Sequence, residues 1–281
     1  MIIWLASYPK SGNTWLRSLL ASYYYSQDGV FNFKLLNKID AFPSTFYFKK
    51  YKDKFSTPES TSKYWISEQE KINQDKKIKF FKTHNAMCKI NGNSFTNEDN
   101  TLGAIYIVRD PRNIVTSLSN HYLISKEQAL EFMTTEKKGI VQNVDGRYLG
   151  FNALFSWMFH EKSWSECKKF PVLIIRYEDL QNQIFETFEK VINFINNITK
   201  SKDSFLKNKA KKSIETCEFD KLQKLEKEIG FDEAVLDRSK NKKIKFFNLG
   251  KKNNFNSLLN KDLIDKINIL FQEQLRKYNY E

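Results

Sequence analysis

A lysine, two hydroxyls, an amide and a glycine fall together near the start of the chain, as Lys10-Ser11-Gly12-Asn13-Thr14. Residues of these types bind anions. Lysine brings a point charge, the hydroxyl and amide groups bring neutral donors, and glycine lets the backbone approach closely. The apolar run at 2–6 before them reads as a buried strand. Trp15, Leu16, Leu19 and Leu20 after them have helical spacing. A loop that opens a helix also presents unpaired backbone N–H groups and the positive end of the helix dipole. The stretch reads either as a phosphate or sulfate cradle or as an ordinary strand–loop–helix turn that holds a lysine. It is not a Walker A loop, which needs Gly, four residues, then Gly-Lys-Ser/Thr. Here Lys10 precedes Gly12 and no second glycine follows.

His84 is one of only three histidines, and it follows the short apolar run at 79–82, two residues after Lys82. A neutral imidazole there could take a proton from a hydroxyl, a role worth roughly 10²–10⁴ in rate. A lone histidine is more often structural, and His121 and His160 read that way. Arg109 ends a third apolar run, 101–108, and Ser117 lies two turns into the next helix. Each also has a plain reading, as a solvated arginine and a helix-surface serine. Trp15 either packs the first helix or offers its ring to a planar base.

These residues need elements to carry them. Four short apolar runs (2–6, 79–82, 101–108 and 172–175) alternate with helical segments. That alternation predicts an α/β fold with a parallel sheet covered on both faces. Ligands of such sheets gather beyond the carboxyl ends of the strands, where Lys10 to Trp15, His84, Arg109 and Tyr177 fall. Helices are expected from Pro111 to about Tyr122, at 151–168 and 184–195, in the lysine-rich 201–228, and at 261–277. Residues 26–75 read as loops and short helices forming a lid over a substrate site, 126–148 as a second variable excursion, and 240–260 as a polar loop. No internal repeat or domain boundary is visible, so a single domain over 1–281 is expected.

Composition narrows the classes. Lys and Arg number 46 against 33 Asp and Glu, a net charge of +13, which favours anionic ligands. The lysines are dispersed in short runs that suit solvated faces, and no nucleic-acid motif accompanies them. Hydrophobic residues make up 41%, enough for a sizeable core, and 24 phenylalanines make it rich in rings. Cys88, Cys167 and Cys217 are widely separated, with no Cys-x-x-Cys pair to hold zinc and no disulfide pattern. No charged leader precedes the first strand, and no apolar run reaches the ~18 residues of a membrane helix. The expectation is a cytoplasmic protein without an integral membrane segment.

The string Tyr8-Pro9-Lys10-Ser11-Gly12-Asn13-Thr14-Trp15 resembles the phosphosulfate-binding loop of sulfotransferases, Tyr-Pro-Lys-Ser-Gly-Thr-Thr-Trp, and departs from it only at Asn13. Lys82-Thr83-His84 resembles the catalytic element of the cytosolic members. The block from Tyr106-Ile107-Val108-Arg109 to Ser117 resembles their 3′-phosphate motif, with matching Arg-to-Ser spacing. The resemblance implies a three-layer P-loop-NTPase-like fold with a central parallel sheet flanked by helices. It implies in-line transfer of a sulfuryl group from 3′-phosphoadenosine 5′-phosphosulfate (PAPS) to a hydroxyl or amine. By the same resemblance Lys10, Ser11, Gly12, Asn13 and Thr14 hold the 5′ end of the donor, with Lys10 also catalytic, near the bridging oxygen. His84 is the general base and Lys82 contacts the transferring group. Arg109 and Ser117 bind the 3′-phosphate, and Trp15 and Tyr177 lie by the adenine. Ser156-Trp157-Met158-Phe159-His160 with Trp164 matches a helix of the family and reads as structural.

The likeness breaks near the C-terminal end. The family closes over the 3′-phosphate with Arg-Lys-Gly and then Gly-Asp-Trp. Here the stretch is Phe247-Asn248-Leu249-Gly250-Lys251-Lys252-Asn253-Asn254-Phe255. Gly250 is kept, Asn248 and Leu249 replace the basic pair, and Phe255 stands for the tryptophan. Lys251 or Lys252 is the expected substitute at the phosphate. The dimerisation motif of the animal cytosolic enzymes is not evident after Phe255. The acceptor is not readable: the aromatic excursions suit a sugar, a phenol or a lipid equally. A nucleotide-dependent kinase is the rival within the same broad fold. It is opposed by the missing Gly-Lys-Ser/Thr and by the lack of a carboxylate cluster suited to Mg²⁺, and no metal is expected.

Overall fold

Side chains that alternate across buried strands decide this architecture. The computed structural model describes residues 1–144, 146–237 and 242–280. Five strands form one parallel sheet: β1 (Ile2–Ser7), β2 (Asp40–Ala41), β3 (Lys79–Thr83), β4 (Thr101–Val108) and β5 (Val172–Arg176). Their order is β2-β3-β1-β4-β5, so the strand at the start of the chain lies in the middle. Helices α1 (Asn13–Tyr25), α2 (Pro111–Tyr122), α3 (Trp157–Ser165), α4 (Ile184–Thr199) and α5 (Phe219–Ile229) contribute to its two flanking layers.

The period of two along each strand divides the core. Trp4, Ala6, Tyr106 and Val108 join one apolar cluster with Ile114 and Leu118 of α2 and Trp157 and Trp164 of α3. Ile3, Leu5, Ile105 and Ile107 join the other with Leu16 and Leu19 of α1 and Phe188 and Val191 of α4. Each large apolar side chain buried this way contributes about 1.5–3 kcal/mol. All six residues of β1 are buried, as expected for a strand covered on both faces. The result is the three-layer α/β arrangement expected from the sequence. Among the described residues no helix is long and apolar enough to cross a membrane.

Several expected elements are corrected. Residues 151–168 do not form one helix. Arg147–Ala153 is a strand, paired antiparallel with Gly139–Val144, and α3 begins only at Trp157. The break has a local cause: Phe155 turns the backbone at φ 57°, and Ser156 Oγ accepts from the Phe159 amide as the helix cap. The 126–148 excursion holds a helix, Lys126–Thr134, and the first strand of that hairpin; its Asp145 lies outside the described residues. Residues 26–75 do contain short helices, but they also supply β2 and bury Phe42, Phe48, Phe55 and Trp65 in the core. The lysine-rich 201–228 holds two helices, Lys207–Thr216 and α5, and the last helix divides at Phe271. Of the expected polar loop, Lys240 and Asn241 lie outside the described residues, and Gly250–Lys252 forms a 3₁₀ turn.

Candidate active site

The loop after β1 turns through two left-handed residues, Lys10 at φ 68° and Gly12 at φ 102°. Gly12 cannot be replaced at no cost. A Cβ there would lie 2.5 Å from the Tyr177 ring as well as strain the backbone. Trp15 N donates to Gly12 O at 3.0 Å, so the Asn13 and Thr14 amides ahead of it have no intrahelical acceptor. Here α1 offers its positive end.

A cavity of about 270 Å³ opens at this point, beyond the carboxyl ends of the strands. One wall is Lys10, Gly12, Asn13, Thr14 and Trp15 with Lys82, His84, Arg109, Ser117 and Tyr177. The sequence-predicted residues from four separate strand ends therefore converge on one space. The other wall comes from the C-terminal third: Phe219, Leu222, Glu233, Phe246, Phe247, Gly250 and Asn253. No residue of 26–75 lines the cavity.

His84 is held by one ring nitrogen. Its Nδ1 lies 2.7 Å from the Ser7 backbone carbonyl. A carbonyl only accepts, so Nδ1 carries the proton and Nε2 keeps a lone pair. Burial, and next the Lys82 charge, lower the imidazole pKa to about 3, so the ring is neutral at physiological pH. His160 holds the backbone behind it: its Nε2–H donates to His84 O at 3.1 Å, and Tyr106 O–H donates to its Nδ1 at 3.0 Å. Trp164 Nε1 donates to Asn85 O at 3.0 Å. The helix read as structural thus grips the loop that carries His84.

At the far side, Arg109 Nη1 donates to Lys10 O at 2.8 Å and to Ser117 Oγ at 3.2 Å. Its guanidinium stacks 4.1 Å from the centre of the Tyr177 ring, and its Nε is buried without a protein partner. Asn253 Nδ2 donates to the same Ser117 Oγ at 2.9 Å, while Asn253 Oδ1 accepts from Thr116 at 2.6 Å. Neither bond uses the Ser117 proton. Asn253 Nδ2 also donates to Asn113 O at 3.0 Å, so this amide fixes the serine, while the unpartnered Arg109 Nε and the free Ser117 proton suit a phosphate. Trp15 and Tyr177 have ring centres 5.7 Å apart, and Trp15 Nε1 is tied to Cys217 O at 2.9 Å. With Phe219 they make an aromatic recess for a planar group.

The electrostatics are those of an anion site. Burial, then Arg109 and Lys82, lower the Lys10 pKa to about 7. Its ammonium rests 4.1 Å over the Phe246 ring. Burial also lowers the Lys82 pKa, and Glu233 opposes this across a 2.8 Å ion pair.

Some predicted residues take other places. Ser11 is buried, its hydroxyl has no protein partner, and it does not line the cavity. Asn13 lines it, but its amide donates inward to Leu5 O at 2.9 Å and Ser7 Oγ at 3.1 Å. Lys251 and Lys252 are exposed and off the cavity wall, and Asn253 stands at Ser117 instead. Phe255 lies 4.1 Å beneath the Arg112 guanidinium and does not line the cavity. Gly250 does, and a Cβ there would meet the Phe219 ring at 2.6 Å. Sequence reasoning missed Phe219, Glu233, Phe246 and Asn253. The Phe246-Phe247 pair just before the altered loop was the one available signal.

Known structures of the same shape include the mouse sulfotransferase SULT7A1 complexed with PAP. It matches at TM-score 0.56 and 18% identity, over 99% of this chain and 84% of that one. Retinol dehydratase in complex with androsterone and PAP matches at TM-score 0.59 and 14% identity, over 98% and 80%. Its complex with retinol and PAP matches at 0.60 and 13%, over 98% and 81%. These similarities establish the fold. Among curated proteins, a 3-alpha-hydroxysteroid sulfotransferase from Cavia porcellus is 29% identical over 104 residues, 36% of this chain and 34% of that relative. The alignment thus spans about a third of that relative's length. The sulfotransferase domain family model matches residues 2–279. The chain belongs to the sulfotransferase domain family.

Proposed function

We propose that the chain transfers a sulfuryl group from PAPS to an acceptor hydroxyl or amine. The observation that carries this reading is the convergence of Lys10 to Trp15, Lys82, His84, Arg109 and Ser117 on one cavity, in a chain of the sulfotransferase domain family. Lys10 and the free amides of α1 hold the 5′-phosphate, and Arg109 and Ser117 hold the 3′-phosphate, with Asn253 orienting the serine. Trp15, Tyr177 and Phe219 flank the adenine. Lys82 meets the sulfuryl oxygens.

The acceptor oxygen attacks sulfur while its proton passes to His84 Nε2. The sulfur–oxygen bond to the 5′-phosphate breaks, and its electron pair stays on that oxygen. Lys10 and the helix end stabilise the growing charge, so positioning and electrostatics supply most of the catalysis. Lys82 is one cause of the low His84 pKa. Pairing Lys82 with a sulfuryl anion relieves part of that effect and strengthens the base when the donor is bound. The ligands named with retinol dehydratase, androsterone and retinol, are alcohols. They support a small-molecule hydroxyl acceptor for this chain also; a glycan or lipid alcohol fits the same chemistry.

A thermal-shift comparison tests the donor. Adenosine 3′,5′-bisphosphate (PAP) at a hundred times its Kd should stabilise the protein by about 2.7 kcal/mol. ATP with Mg²⁺ and a single-stranded oligonucleotide should not. Stabilisation by ATP with Mg²⁺ or by the oligonucleotide alone would overturn the reading.

A further inference from the structure

One carboxylate reaches into the cationic wall. Glu233, in the segment after α5, crosses to the loop and strand that hold the proposed 5′ end of the donor. Its Oε2 accepts from Lys82 Nζ at 2.8 Å and from Thr14 Oγ1 at 3.2 Å. Its Oε1 accepts from Arg17 Nη1 at 2.5 Å. Burial pushes this carboxyl up, but Lys82 and Arg17 outweigh it and hold it well below the usual carboxylate range, so it is ionised. The two oxygens differ in their surroundings. Oε2 sits on two residues of the cavity wall. Oε1 sits on Arg17, which is buried, is not part of that wall, and also donates to Ile39 O at 3.3 Å.

The proposed function assigns Lys82 and the Thr14 backbone amide to the phosphosulfate, and the Thr14 hydroxyl belongs to the same residue of the cavity wall. A carboxylate oxygen has the charge and the accepting lone pairs of a sulfate or phosphate oxygen. Two anions cannot share these donors without repulsion. We propose that Glu233 is an internal competitor of the donor: Oε2 occupies the Lys82–Thr14 subsite, and the phosphosulfate displaces it while Arg17 keeps Oε1. This rests on the donor being PAPS. Glu233 thereby sets donor affinity from within the site. The effect is larger for PAPS, whose sulfuryl oxygens need Lys82, than for PAP, which has none. A Glu233 that merely fastens the two walls together would act with the opposite sign, and its removal would loosen the site.

Calorimetric titration of the full chain and its Glu233→Gln variant with PAPS, without acceptor, and with PAP separates these cases. Freeing two donors from a charged partner should tighten PAPS binding about tenfold or more, and PAP by a smaller factor. Unchanged or weaker PAPS binding in the variant overturns the proposal. If Glu233→Gln fails to fold, Glu233→Asp carries the test. It keeps the charge near Arg17 but falls a methylene short of Lys82, and should also bind PAPS more tightly than the wild type; unchanged affinity overturns the proposal. If neither ligand binds the wild type, the donor assignment fails, and this inference fails with it.

Discussion

The two walls of the cavity are built differently. On one side, Lys10, Lys82, Arg109 and Tyr177 stand at the ends of neighbouring parallel strands, and sheet register places them. On the other, Phe246 and Phe247 are placed by side chains. Phe33 stacks with Phe247, and Phe231 packs on both Phe246 and Phe247. Glu226 accepts from the Phe246 and Phe247 amides at 2.6 and 2.9 Å, and Gln223 donates to Phe247 O at 2.8 Å. The sheet wall holds His84, the proposed base, with Lys10, Lys82 and Arg109. The aromatic wall contributes rings, one amide at Ser117 and one carboxylate at Lys82. A rigid wall suits groups whose geometry must hold to fractions of an ångström. A wall made of one helix end and the loops beyond it suits groups that tune how tightly a ligand is held.

If that division holds, loss of His84 from the sheet wall should cost turnover with binding kept, and changes in the aromatic wall should alter affinity with turnover kept. The largest effect is expected from His84→Ala: kcat should fall by roughly 10²–10⁴ with PAP affinity little changed. Its neutral state can be read directly. Burial lowers the pKa of His84 and His121 to about 3 and of His160 to about 4. A base with a lowered pKa stays unprotonated down to that pKa, so no histidine NMR resonance should titrate between pH 8 and pH 5. A midpoint near 6.5 for His84 would contradict the buried, carbonyl-anchored ring. A smaller effect is expected across the cavity. Asn253→Ala removes its hydrogen bonds to Ser117, Asn113 and Thr116; the one that orients Ser117 is worth about 1 kcal/mol, so PAP affinity should fall about fivefold at constant kcat. A fall in kcat instead would break the comparison between the walls.

The same division explains what the sequence made legible. The cradle spans eight residues, 8–15, and its strand and helix flanks carry their own periodicity, so residue types and spacing suffice. Arg109 and Ser117 are eight residues apart on one strand–helix junction. Glu233, by contrast, meets Thr14 and Arg17 across 219 and 216 positions, and Asn253 meets Ser117 across 136. No local pattern encodes such contacts. The altered loop misled for a related reason. Charge pointed to Lys251, yet the chain turns so that Lys251 and Lys252 are exposed and an uncharged amide faces the serine. Two-residue β2 carries no pattern at all. Residues 151–153, the end of the strand Arg147–Ala153, read as helix because Leu154, Phe155, Trp157 and Met158 mimic helical spacing, although Ser156 is a readable cap.

The central claim is that Arg109, with Ser117, reads a 3′-phosphate and so defines the donor. The direct measurement is the affinity of PAP against adenosine 5′-phosphate, by calorimetry, in the wild type and in Arg109→Ala. A charged hydrogen bond contributes about 1.5–3 kcal/mol, and each 1.4 kcal/mol is about tenfold. The wild type should prefer PAP by ten- to a hundredfold or more, and Arg109→Ala should lose most of that preference while binding adenosine 5′-phosphate nearly as before. Equal affinities in the wild type, or equal losses for both ligands in the variant, would contradict the account.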